Sequence, residues 1–150
     1  MVARDVELYV QVLGLVDPWF VEDVALSIEE GRVEMKVAHH ERRLWPCPIC
    51  GAELALYDHS DERSWSHLDT GGFKTFVTAR PPRVKCSDHG VLLVPLPWAE
   101  PRSRFTEAFE RLAIDVLEQT DVTGAADILG TSWDECWGIM ERAVARGQAR

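Results

Sequence analysis

Cysteine is scarce in this chain. The four residues in 150, three of them in ligand-type pairs, fit a reducing compartment better than the disulfide framework of a small secreted domain. Long apolar runs are absent as well, and no stretch approaches the roughly 18 residues that a membrane span needs. No positively charged start leads into an apolar run of signal length, so a cytoplasmic protein without membrane contact is expected. Net positive charge is missing too: 16 basic side chains face 25 acidic ones, for a formal charge of −9. That balance argues against a uniformly basic nucleic-acid binder. With 46% hydrophobic residues, the chain is not a disordered tail and suits one domain, or two small ones.

Three of the four cysteines fall in ligand-type pairs. Cys47-Pro48-Ile49-Cys50 is followed by Gly51, and Cys86-Ser87-Asp88-His89 by Gly90, with thirty-five residues separating Cys50 from Cys86. Zinc takes four Cys or His donors, and two intervening residues let a tight turn aim both donors of a pair at one ion. A glycine after each pair can adopt positive φ and turn the chain back. The pattern predicts zinc held by Cys47, Cys50, Cys86 and His89. His67 competes with His89 as fourth ligand, although a His between aromatic and aliphatic neighbours also fits a packed strand. Four protein donors would close the ion off, which disfavours a zinc hydrolase because catalysis needs an open position. Cys136 stands alone and is expected in a helix packing face.

The rest of the pattern predicts an α+β protein: a small antiparallel strand-rich zinc ribbon with an N-terminal hairpin, followed by a three-helix helix-turn-helix. A short helix is expected over about 5–13. Val24, Leu26 and Ile28, then Val33, Met35 and Val37 after Glu30-Gly31, alternate as a hairpin with one apolar face. Short strands follow over 54–57, 64–68, 73–79 and 83–86. Pro95, Pro97 and Pro101 mark a linker. The expected division is 1–39 for the N-terminal helix and hairpin, 40–98 for the zinc ribbon and 99–150 for the helical domain.

From Phe105 the apolar period becomes helical through Phe109, Leu112, Val116 and Leu117. A short helix over 122–129 is stopped by Gly130, and Ser132-x-x-Glu135 is a capping box that opens a third helix through about Arg146. This is a helix-turn-helix layout, with a generic three-helix bundle as the alternative. The third helix admits two registers. One buries Trp133, Trp137, Met140 and Val144; the other exposes Trp137 and Gly138.

Charge is unevenly spread. Residues 40–104 carry nine basic against eight acidic side chains, whereas 1–39 carry three against eight and 105–150 four against nine. Arg80, Arg83, Lys85, Arg102 and Arg104 cluster at and beyond the second ligand pair. They form either a phosphate-contacting patch or a solvated surface. Ser132, Trp137 and Arg142 are the DNA-contact candidates of the third helix, yet its first turn, with Asp134 and Glu135, offers no Arg or Lys to guanine.

Leu13-Gly-Leu, Asp17-Pro-Trp, Cys47-Pro-Ile-Cys-Gly, Arg63-Ser-Trp-Ser-His-Leu-Asp, Pro82-Arg-Val-Lys-Cys, His89-Gly-Val, Pro97-Trp-Ala-Glu and Ser103-Arg-Phe-Thr resemble, in order, the N-terminal half of ISL-three family transposases. The resemblance implies zinc at the two Cys-containing pairs and DNA contact by the helix-turn-helix over about 120–146. It also implies a later RNase H-like catalytic domain with a metal-binding acidic triad, for which no credible carboxylate set is found in these 150 residues. The expectation is therefore a non-catalytic, DNA-binding transposase module that recognises the terminal inverted repeats of an insertion sequence in double-stranded DNA. It could act as a homodimer or with a full-length transposase. The alternatives are a zinc-stapled protein-interaction module and an inactive remnant.

Overall fold

The computed structural model of the chain describes residue 10, residues 13–42 and residues 44–148. The short helix expected over 5–13 falls largely outside these, although Val10 and Leu13 are helical. The described chain is α+β and separates into two compact units, 1–106 and 107–150.

Unit 1 is built of strands. β1 (Trp19–Ser27) and β2 (Arg32–His39) form the expected hairpin around Gly31, whose φ of 62° suits a residue without Cβ. β3 (Trp45–Pro46) and β4 (Glu53–Leu54) flank the first ligand pair; β5 (Leu56–His59), β6 (Arg63–Thr70), β7 (Phe73–Ala79), β8 (Pro82–Cys86) and β9 (Gly90–Leu93) follow. They make a four-stranded sheet in the order β1-β2-β7-β6, a β3-β4 ribbon and a three-stranded sheet β5-β8-β9. The β2–β7 pairing is parallel, unlike every other ladder.

This pairing differs from the three-part division read in the sequence. β2 lies before residue 40 and β7 after it, so the hairpin and the zinc region share one sheet. The proline-containing stretch expected as a linker is built into the same unit. Val94, Trp98, Ala99 and Ser103 are buried, and Arg104 to Thr106 pair with Ser66 of β6. Proline interrupts regular pairing there, but the intervening side chains still supply core volume.

The core of unit 1 centres on four tryptophans. Trp19 meets Trp45 and Trp98, and Trp65 meets Trp98, all edge-on at centroid separations of 5.1–5.7 Å. Edge-to-face contact sets the positive rim of one ring against the negative face of the next. Met35, Val37, Val77, Ala79 and Val84 fill the remaining space. The apolar face predicted for β1 holds only in part: Val24 packs on the core, while Leu26 and Ile28 are exposed. A register shift between Val21 and Asp23 lets Trp19 and Val21 point inward before the phase changes.

Unit 2 contains α1 (Glu107–Leu117), α2 (Val122–Leu129) and α3 (Trp133–Gln148). Asp121 caps α2 by accepting from the Gly124 N–H at 2.8 Å. Gly130, at φ 71°, ends it in the left-handed conformation and donates to the Ala126 carbonyl. The predicted capping box is present: the Glu135 N–H donates to Ser132 Oγ at 3.0 Å, and the Ser132 N–H to Glu135 Oε1 at 2.9 Å. Ala125, Ala126 and Cys136 form the small core with Val116, Leu117, Val122 and Leu129 around them. Small side chains let the helices approach closely, and Cys136 serves there as a packing group.

Candidate metal centre and helix-turn-helix

The turn between β3 and β4 and the turn between β8 and β9 bring the two ligand pairs together. Cys47 Sγ, Cys50 Sγ, Cys86 Sγ and a His89 ring nitrogen all lie within 4.8 Å of one another. Cys50 and Cys86 sulfurs are 3.8 Å apart, and His89 Nδ1 stands 3.8 Å from Cys47 Sγ and 3.4 Å from Cys86 Sγ. A tetrahedron with Zn–S bonds of about 2.3 Å and Zn–N bonds of about 2.0 Å has edges of roughly 3.8 Å between sulfurs and roughly 3.5 Å between sulfur and nitrogen. The donor set therefore fits zinc in both chemistry and size. Gly51 at φ 74° and Gly90 at φ 77° turn the chain back after each pair.

The thiols are unequal. The Cys50 backbone N–H is the main influence that lowers Cys47 to about 6, favouring the thiolate that binds metal. At Cys50 the Ala52 N–H pulls down, but burial and the adjacent sulfurs outweigh it and leave the thiol raised. His67 is elsewhere. It is buried, with Nδ1 2.7 Å from Thr106 Oγ1, and burial lowers its pKa to about 4. It is a packed strand residue and not a member of the donor cluster.

The cation candidates have different surroundings. Arg83 and Lys85 share the outward face of β8, but the Arg83 guanidinium forks onto Asp58, with Nε 2.6 Å from Oδ1. Lys85 is exposed, its Nζ 5.9 Å from the Tyr57 ring centre. Arg80 is exposed and donates to the Ser60 carbonyl at 3.4 Å. Arg102 and Arg104 are exposed, and neither forms an ion pair among the described residues.

In unit 2, Ser132 Oγ is occupied in the capping box. Arg142 Nε contacts Glu110 Oε1 at 2.9 Å, so its charge is directed to a carboxylate that is only 3% exposed. Trp137 is 39% exposed and lies flat against Trp133, which is 48% exposed. Cys136 and Ile139 take the buried face instead. Helix α3 thus adopts the register that exposes Trp137.

The sequence did not reveal two polar pairs. Asp58–Arg83 depends on the register between β5 and β8, which composition does not encode. His39 and His59 meet with Nε2 atoms 2.8 Å apart, and His39 Nδ1 lies 2.9 Å from the His40 carbonyl. Their rings are nearly coplanar, 15° apart, with centroids at 5.1 Å. That separation leaves the nitrogens head-on, the geometry of an N–H···N hydrogen bond rather than of two lone pairs converging on a metal.

A four-donor cluster of zinc-ribbon type followed by a capped helix-turn-helix defines the class of protein to which the chain belongs. Comparison with known sequences narrows it. Residues 43–89 match the zinc-finger of transposase IS204/IS1001/IS1096/IS1165, and residues 94–144 match the helix-turn-helix domain of transposase family ISL3. By these two domains the chain belongs to the ISL3 family of transposases and binds zinc. Over 152 aligned residues, 98% of this chain, it is 28% identical to the transposase for insertion sequence element IS1557 of Mycobacterium tuberculosis, in both strain CDC 1551 / Oshkosh and strain ATCC 25618 / H37Rv. The chain spans about a third of the length of these relatives, 34%. No solved structure matches it. Among the described residues, no helix is long and apolar enough to cross a membrane.

Proposed function

We propose that this chain is the DNA-recognition part of a cytoplasmic transposase and binds the terminal inverted repeats of its insertion sequence as double-stranded DNA. Cys47, Cys50, Cys86 and His89 hold a structural zinc that fixes the β3–β4 and β8–β9 turns. The observation that carries this reading is the pairing, in one chain and in family order, of a tetrahedral donor cluster with a helix-turn-helix. Arg80, Lys85, Arg102 and Arg104 supply phosphate contacts, and the helix-turn-helix supplies the groove-facing element. Arg83 and Arg142 act chiefly within the fold, because each is already turned to a carboxylate.

A salt titration tests this reading. Four neutralised phosphates give a log–log slope of about −3.6 on duplex DNA. A duplex carrying the element's end should bind more tightly than a scrambled duplex. Replacing Arg102 and Arg104 together by Ala should bring the slope to about −1.8, while Arg83→Ala should leave it near its starting value. Equal binding to both duplexes would refute end recognition. A protein-interaction module is the second reading, and the exposed tryptophan pair on α3 favours it.

A further inference from the structure

A hydrogen bond between two imidazoles ties the four-stranded sheet of unit 1 to its three-stranded sheet. His39 ends β2 and His59 ends β5, and their Nε2 atoms stand 2.8 Å apart. Trp19 and Trp45 meet the His39 ring edge-on at 5.5 and 4.9 Å, so the core fixes its orientation. The 58–62 segment that carries His59 is otherwise anchored toward β8. There the Ser60 N–H donates to the Pro81 carbonyl at 2.8 Å, and Asp58 accepts from Arg83 at 2.6 Å.

The hydrogen positions follow from the partners. A carbonyl only accepts, so His39 Nδ1, 2.9 Å from the His40 carbonyl, carries a hydrogen. In a neutral ring its Nε2 is then a lone pair, and the facing His59 Nε2 must donate. Protonating His59 at Nδ1 leaves that bond in place. Protonating His39 as well sets two N–H groups against each other, and the bond is lost.

The surrounding charges do not absorb a second proton. The cleft beside the pair is lined by Glu22 of β1, Lys36 of β2, Asp58 of β5, Glu62 and Arg80. Asp58 is committed to Arg83, and Lys36 and Arg80 balance Glu22 and Glu62. Burial, followed by the charges of His39 and Arg80, holds His59 below the ordinary imidazole value of 6.5, and Asp58 opposes this only in part. His40 is engaged elsewhere, its ring stacked on Phe20 at 4.3 Å.

We propose that His39 and His59 form a proton-operated clasp, which holds the 58–62 segment against β2 while at least one ring is neutral and releases it when both are charged. The unfolded chain charges both rings freely. The stability that the clasp contributes is therefore complete above about pH 6.5 and is lost as pH falls through the lowered His59 value.

Nitrogen-detected NMR of the isotope-labelled, zinc-loaded full chain from about pH 8 to about pH 5.5 tests this. At the upper end a coupling across the hydrogen bond should join the two Nε2 atoms. It should vanish on acidification together with a shift of the 58–62 amides, while the amides of the zinc turns, 47–51 and 86–90, stay in place. A glutamine in place of His39 presents an oxygen that accepts from His59 in either protonation state, so His39→Gln should abolish the acid shift of the 58–62 amides. Absence of the coupling at high pH, imidazoles that titrate with no response in 58–62, or an acid shift that His39→Gln retains would each overturn the clasp. A second equivalent of zinc per chain that removes the coupling would make the pair a metal site and overturn it too. Movement of the zinc-turn amides in step with 58–62 would assign the acid transition to metal release instead.

Discussion

Removing zinc should loosen unit 1 locally without dissolving its core, and the structure sets the size of the effect. The ion ties Cys50 to Cys86, closing a loop of thirty-seven residues counted through both ends. Cross-linking a loop of that length is worth about 4 kcal/mol in denatured-chain entropy. That is a large share of the roughly 5–15 kcal/mol by which a domain is stable. The two-residue strands β3 and β4 cannot hold the first knuckle by themselves. The four-stranded sheet is different, because Trp19, Trp65 and Trp98 pack against it whether or not metal is bound. Chelation should therefore lower the melting temperature of unit 1 by about 15–30 °C, at about 4–8 °C per kcal/mol for a unit of this size. Hydrogen exchange should rise over residues 45–54 and 86–93 while β2 and β7 stay protected. A melting shift under about 3 °C would refute the cross-link estimate. Loss of protection in β2 and β7 on chelation at low temperature would refute the independence of the tryptophan core.

Two further outcomes follow from single side chains. Burial lowers His67 to about 4 from an ordinary 6.5, so the folded chain holds it neutral while the unfolded chain takes up a proton. Its contribution of about 3 kcal/mol is complete above pH 6.5 and is lost as pH falls through 4; urea midpoints should drop more steeply across that window in the wild type than in His67→Gln, and parallel profiles would contradict this. Gly130→Ala places a Cβ at φ 71° with open space around it, so only backbone conformation is penalised. A loss of about 1 kcal/mol is expected by thermal denaturation of unit 2, and no change would mean that the turn relaxes.

Local features were the most legible in the sequence. The zinc donors could be read because each pair lies within one turn, and the α2–α3 junction because Gly130, Ser132 and Glu135 act within a few residues of each other. Long-range pairing was not legible. The β2–β7 ladder joins residues about forty apart, and nothing in either strand's alternation specifies a parallel neighbour. Prolines suggested a linker where Trp98 in fact fills the core, since backbone irregularity and side-chain burial are separate properties. The face of α3 was undecidable because both stripes are apolar, and only the small size of Cys136 matches the close approach of α2. Arg142 read as a surface cation because Glu110 lies thirty-two residues away.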